Sequence, residues 1–219
     1  MKALSRLLNL SDRATAVEAG IALAIALAVV AHFFYIVHRC GVNIPFSDDY
    51  TEILAPVHSF ATSDAVTTKL ESIMSACGYS KVAVARTTAL ATFLILGTLN
   101  FKLLMFIGNL SLVGLLAVLY RAADCRRPLL FLPAVFLLLQ SQSWEVIYMA
   151  TLSLSVPVAL FLASLSLLLL RQRSTAAFAG SMAAAFVAAF AFGNGMVIFP
   201  VAILLLLYQR RFREAAVCL

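Results

Sequence analysis

Charge is withheld from this chain in long blocks, and those blocks dictate what it can fold into. From Ala19 to His38 there are 20 residues with no Asp, Glu, Lys or Arg. Further uncharged runs follow: 18 residues between Lys102 and Arg121, 17 between Arg127 and Glu145, 25 between Glu145 and Arg171, and 36 between Arg173 and Arg210. About 20 apolar residues in a helix match the roughly 30 Å hydrocarbon layer of a bilayer. The last run is too long for one crossing and divides at Gly193-Asn194-Gly195, a turn sequence. The pattern predicts an all-α, polytopic membrane protein of six spans. It forms a single membrane domain over 1–219, with a first external loop and juxtamembrane helices at 39–99 and the remaining spans at 100–219.

Composition agrees: 63% of the residues are hydrophobic and 12% charged, which leaves a 219-residue soluble domain too little polar surface. A net charge of +6 would suit a nucleic-acid partner. The basic residues, however, stand in twos and threes between apolar runs, which positive-inside membrane topology explains better. No nucleic-acid partner is expected; the lipid bilayer is. The first apolar run continues to Val37, beyond the length of a cleavable signal segment.

Orientation turns on Thr87 to Phe101, only 15 uncharged residues. If this stretch is an interfacial or re-entrant helix, the cytoplasmic segments hold Lys2, Arg6, Arg13, Arg121, Arg126, Arg127, Arg171, Arg173, Arg210, Arg211 and Arg213, eleven basic residues against five outside. The positive-inside rule then places both termini in the cytoplasm of a multi-pass protein of the bacterial plasma membrane. Polar groups collect on the external face, where six of the ten acidic residues lie. Within the first external segment Ile53, Leu54, Val57 and Phe60, then Leu70, Ile73 and Met74, recur at helical spacing, which predicts short amphipathic helices.

Neither the four cysteines nor the three histidines show metal-ligand spacing, so no structural zinc site is expected. This topology puts Cys40 and Cys77 on the oxidising side, where a disulfide between them is possible chemistry.

The adjacent carboxylates Asp48 and Asp49 stand just past the first span in Pro45-Phe46-Ser47-Asp48-Asp49-Tyr50. Neighbouring carboxylates repel each other, which can recruit a divalent cation or hold a proton. The alternative is that they cap the helix starting near Tyr50. Asn100-Phe101-Lys102 opens a span ending at Tyr120-Arg121, and Gln142-Ser143-Trp144-Glu145 and Phe192-Gly193-Asn194-Gly195-Met196 each lead into an apolar run.

This order of features resembles the GT-C superfamily of membrane glycosyltransferases, which includes the protein mannosyltransferases. The resemblance implies a polyprenyl-phosphate sugar as donor and Asp48 or Asp49 as general base on an acceptor hydroxyl, which needs a proton acceptor within hydrogen-bond reach. It implies Lys81, Arg86 and Lys102 as phosphate partners, Arg86 foremost, with Glu145 and Asn194 shaping a polar pocket. Such enzymes are usually longer, so the resemblance also implies an N-terminal membrane module or a chain that works with a partner subunit. The competing readings are a lipid-binding accessory subunit or small transporter, snorkelling for Lys102, a solvated Glu145 beside the interface anchors Trp144 and Tyr148, and a simple turn at Asn194.

Overall fold

A computed structural model describes the backbone of residues 2–75, 82–125 and 127–217, with side chains over 16–75, 82–125 and 127–216. Helix α1 (Lys2–Cys40) leads to a π-helical turn (Tyr50–Leu54), α2 (Ala55–Thr62), α3 (Val66–Met74) and α4 (Ala83–Leu96). Helix α5 (Phe101–Ala123) follows, then a 3-10 turn (Pro128–Phe131) continuing as α6 (Leu132–Leu138), and α7 (Trp144–Tyr148). The chain ends in α8 (Ala150–Leu170), α9 (Thr175–Ala191), a 3-10 turn (Gly193–Val197), α10 (Ile198–Tyr208) and α11 (Phe212–Val217). No strand occurs among the described residues, so the all-helical expectation holds.

Among the described residues three helices are long and apolar enough to cross a membrane: Ala16–Cys40 within α1, α5 and α8. At about 1.5 Å per residue each is long enough to span a hydrocarbon layer of roughly 30 Å. The other apolar helices are shorter, α6 because Pro128 and Pro133 restrict its start and it ends at Leu138, just before Gln140-Ser141-Gln142-Ser143.

Side-chain contacts fix how the helices run. Phe34 stacks on Phe106 at 5.6 Å and His38 meets the same ring edge-on, while Ala19 and Ala22 share a groove with Tyr120. Helices α1 and α5 are therefore antiparallel. Along α5 and α8, Gly108 lies against Ser153, Gly114 against the Phe161 ring, and Arg171 donates to the Ala122 carbonyl at 2.9 Å, so this pair is parallel. Ser166 and Ser181 share a 2.8 Å hydrogen bond between α8 and the antiparallel α9. Ala202 and Leu206 of α10 join Leu170 in one apolar cluster. The bundle thus has two ends, one carrying Cys40, Phe101 and Ala150, the other Tyr120, Arg171 and Tyr208.

The α5/α8 crossing depends on a small residue meeting a freed carbonyl. Pro157 lies inside α8 and cannot donate to the Ser153 carbonyl four residues back. Gly108 packs against that carbonyl, where a Cβ would stand only 2.3 Å from the Ser153 oxygen. Close backbone approach through small residues is how helices associate in lipid, where apolar burial gives little drive.

Residues 44–100 form an excursion that leaves and returns at one end, because Asn43 Oδ1 accepts from the Phe101 N–H at 2.7 Å. Within it Ile53 and Val57 are buried with Val82, Ala89 and Leu90 against Phe101, Leu104 and Ala150. Leu54, Leu70 and Met74 are exposed on the protein surface. Helix α4 stops at Gly97, whose φ of 71° is left-handed and suits glycine as a C-cap.

The division of the 36-residue run falls where Gly193-Asn194-Gly195 predicts it, between Ala191 and Gly193, but not through left-handed glycines. Gly195 is required by proximity: a Cβ there would lie 2.0 Å from the Ala188 carbonyl oxygen.

Candidate functional site

The loop after α1 ties the parallel pair together. Ahead of α5, Asn100 accepts from Leu103 N–H at 3.0 Å and Asn43 accepts from Phe101 N–H. At α8 the residue in the capping position is Met149, which has no side-chain acceptor. Asp49 supplies it from about a hundred residues away. Its Oδ1 accepts from Thr151 N–H at 2.8 Å and from Thr151 Oγ1 at 2.7 Å. Its Oδ2 accepts from Ala150 N–H at 3.3 Å and from Phe46 N–H at 3.2 Å. A carboxylate offers about four acceptor sites, and all are taken. The carboxylate is completely buried at a helix N-terminus, where the partial positive charge and free N–H groups favour an anion.

Asp48 and Asp49 therefore differ in kind. Ser47 adopts φ 50°, an uncommon conformation for a residue with a side chain, and the turn it makes sends Asp49 inward and Asp48 out. Asp48 is exposed, and among the described residues its carboxylate receives only a 3.3 Å hydrogen bond, at Oδ1 from Ser47 Oγ. Its backbone carbonyl accepts from Glu52 N–H at 2.7 Å. Neither side chain caps the helix at Tyr50: Asp49 stands in the capping position there, but its carboxylate accepts no N–H of that helix. With Asp49 saturated, a cation shared by both carboxylates does not fit this arrangement. Among the described residues no group of three His, Cys, Asp or Glu is placed to hold a metal.

Arg86 is also engaged. It is 4% exposed, with Nη2 donating to Glu52 Oε2 at 2.8 Å and Nε to the Glu52 carbonyl at 3.2 Å. Nη1 donates to the Ser75 carbonyl at 2.6 Å and to Ser75 Oγ at 3.0 Å. The guanidinium thereby joins α4, the π-helical turn and the end of α3. Glu52, which sequence reasoning counts only as one of several external acids, is the buried half of this ion pair.

The remaining candidates share the Asp48 end without forming one constellation. Lys102 is half-buried on the first turn of α5, while Glu145 on α7 and Asn194 in the last 3-10 turn are exposed. Phe46 meets Trp144 with ring centres 6.2 Å apart, bringing the Asp48 loop beside α7. Among the described residues no hydrogen bond or ion pair links Asp48, Lys102, Glu145 and Asn194. Lys81 and Cys77 lie outside the described residues. The Cys40 thiol is free and lies beside the Tyr148 hydroxyl, whose pKa burial pushes above the ordinary tyrosine value, with Cys40 adding to the shift.

Two buried polar groups had no sequence signal. Asn109, completely buried midway along α5, donates to the Met105 and Ile147 carbonyls at 2.9 Å each, fixing α7 onto α5. Asp49 as the cap of α8 left only an indirect trace: Met149-Ala150-Thr151 begins a helix with no local capping residue.

Compared with models of known families, with characterised proteins and with solved structures, the chain shows no significant match, so a functional reading rests on its own geometry.

Proposed function

We propose that the chain is a six-span integral membrane protein with both termini cytoplasmic, and that its Asp48 end is the extracytoplasmic working face of a GT-C-like glycosyltransferase module. The six spans are the three long helices together with the Pro128–Leu138 segment, α9 and the Gly193–Tyr208 segment. The antiparallel α1/α5 and α8/α9 contacts, the parallel α5/α8 contact and the return of the chain at Phe101 to the end it left at Asn43 support this reading. Eleven of the 16 basic residues then fall inside.

The single observation that carries the catalytic reading is the splitting of the aspartate pair. Asp49 is locked onto α8, and that lock presents Asp48 exposed, with acceptor capacity to spare, beside a membrane-spanning bundle. Asp48 is the general base on an acceptor hydroxyl, and a polyprenyl-phosphate sugar is the donor. Lys102 is the donor-phosphate partner, because Arg86 is already occupied by Glu52 and Ser75. Glu145 and Asn194 are exposed at the same end and border the acceptor side.

The test is sugar transfer in proteoliposomes, read as release of polyprenyl phosphate and normalised to folded protein. A positioned base contributes about 10²–10⁴-fold, so Asp48→Asn is expected to lower turnover by that factor with thermal stability unchanged. Wild-type turnover in Asp48→Asn overturns the catalytic assignment. The occupied Arg86 favours a second reading, a non-catalytic accessory subunit, for which the unaltered protein releases no polyprenyl phosphate.

A further inference from the structure

The opposite end of the bundle carries a cleft between the C-terminal ends of α5 and α8. Its volume is about 520 Å³, and Tyr120, Arg121, Asp124, Arg171 and Gln172 line it. Sites of this size hold small organic molecules. Among the described residues neither Arg121 nor Arg171 has an acidic partner within ion-pair distance. Arg171 is nevertheless held: one of its N–H groups donates to the Ala122 carbonyl at 2.9 Å, which fixes the guanidinium at the cleft wall.

The cleft does not end in protein. Leu168 and Arg171 also line an adjoining groove of about 480 Å³ that runs along the bundle between α5, α8 and α10. Val118, Leu119, Val201 and Leu205 make its walls apolar. A soluble anion matches only the cleft, and a hydrocarbon matches only the groove. A molecule that continues from an anionic polar head into an apolar chain matches both. The sequence adds charge nearby, with Arg127 and Arg173 within two residues of the cleft's lining and Arg210 next to Gln209 of the groove. Basic pockets between spans at the cytoplasmic surface are suited to acidic lipid headgroups.

We propose that this cleft binds one anionic phospholipid, its phosphate between Arg121 and Arg171 and one acyl chain in the groove past Leu168. Asp124 stands in the same cleft and repels a bare dianion, so it favours a headgroup whose hydroxyls donate to its carboxylate, as in phosphatidylglycerol. The proposal rests on membrane placement and is independent of the transferase reading.

Native mass spectrometry of the full chain in mild detergent, offered equimolar phosphatidylglycerol and phosphatidylethanolamine, reads the site directly. The expected result is one retained phosphatidylglycerol. Near a charged membrane surface each arginine contributes about a fivefold change in affinity, so Arg121→Gln and Arg171→Gln should each weaken retention by about that factor. Arg213→Gln, at an exposed position outside the cleft lining, should leave retention unchanged. Leu168→Trp, which fills the groove and keeps both charges, should expel the lipid, and millimolar glycerol phosphate should not displace it. Helicity by circular dichroism establishes that each variant is folded, and Arg121→Gln carries the test if loss of the Ala122 contact unfolds Arg171→Gln. Equal retention of the two lipids, equal loss in Arg213→Gln, or displacement by glycerol phosphate overturns the proposal, the last in favour of a soluble-anion site.

Discussion

Replacing Asp49 with alanine is expected to destabilise the protein by on the order of 4 kcal/mol, because hydrogen bonds to a buried charge each contribute about 1.5–3 kcal/mol. Four donors lose their acceptor at once, two of them the first N–H groups of α8, which no local side chain can satisfy. Water reaches this position poorly, so the unpaired N–H groups keep most of their desolvation cost. Asp49→Asn should fall between, at about half that loss. Its Oδ1 still accepts from Thr151, whereas its new NH₂ group faces the N–H donors of Phe46 and Ala150. Thermal unfolding in detergent checks the order Asp49→Ala, Asp49→Asn, then wild type. Asp49→Ala as stable as the parent protein would refute the cap.

Arg86→Met should be destabilising by about 3–5 kcal/mol, the cost of leaving one partner of a buried ion pair uncompensated. The side chains of Arg86 and Glu52 are only 4% and 7% exposed, so solvent screening offsets little of this. The loss should be concentrated in the excursion, because Arg86 bonds both the Glu52 carbonyl and Ser75. Proteolysis between Ser63 and Ala65 should therefore accelerate before the long helices melt. The double replacement Arg86→Met with Glu52→Leu removes both charges, and recovery of much of the lost stability is expected. If the single variant loses nothing, the ion pair does not hold the excursion, and Arg86 is free for another role.

The long apolar helices were legible because a charge-free apolar run of this length satisfies its own backbone polar groups best as a helix. The uncharged run over Ala19–His38 anticipates the apolar helix Ala16–Cys40 to within three residues at each end. The shorter helices were less legible, since hydropathy reports burial in lipid and is silent on where Pro128 and Pro133 will restrict a run. The pair Asp48 and Asp49 was visible in the sequence, by its placement after the first long apolar run. Their division of labour was not, because the groups that decide it, Ala150 and Thr151, are distant in sequence and become neighbours only when α1 and α8 dock. Arg86 illustrates the same limit. Its charge suggests a phosphate partner, yet Glu52, 34 residues earlier, reaches it first. Gly193-Asn194-Gly195 was legible as a turn sequence, whereas Gly108 and Gly195 are needed because a neighbouring carbonyl occupies the space of a Cβ.

In the proposed topology the Asp48 end and the arginine-rich end face opposite sides of one membrane. Single cysteines introduced at Asp48 and at Arg127, in a chain whose four native cysteines are serine, can be challenged in intact cells with a membrane-impermeant thiol reagent. Labelling at position 48 and protection at 127 until the membrane is permeabilised is the predicted result. Equal labelling at both positions before permeabilisation, or the reverse order, would contradict the topology and the working face that depends on it.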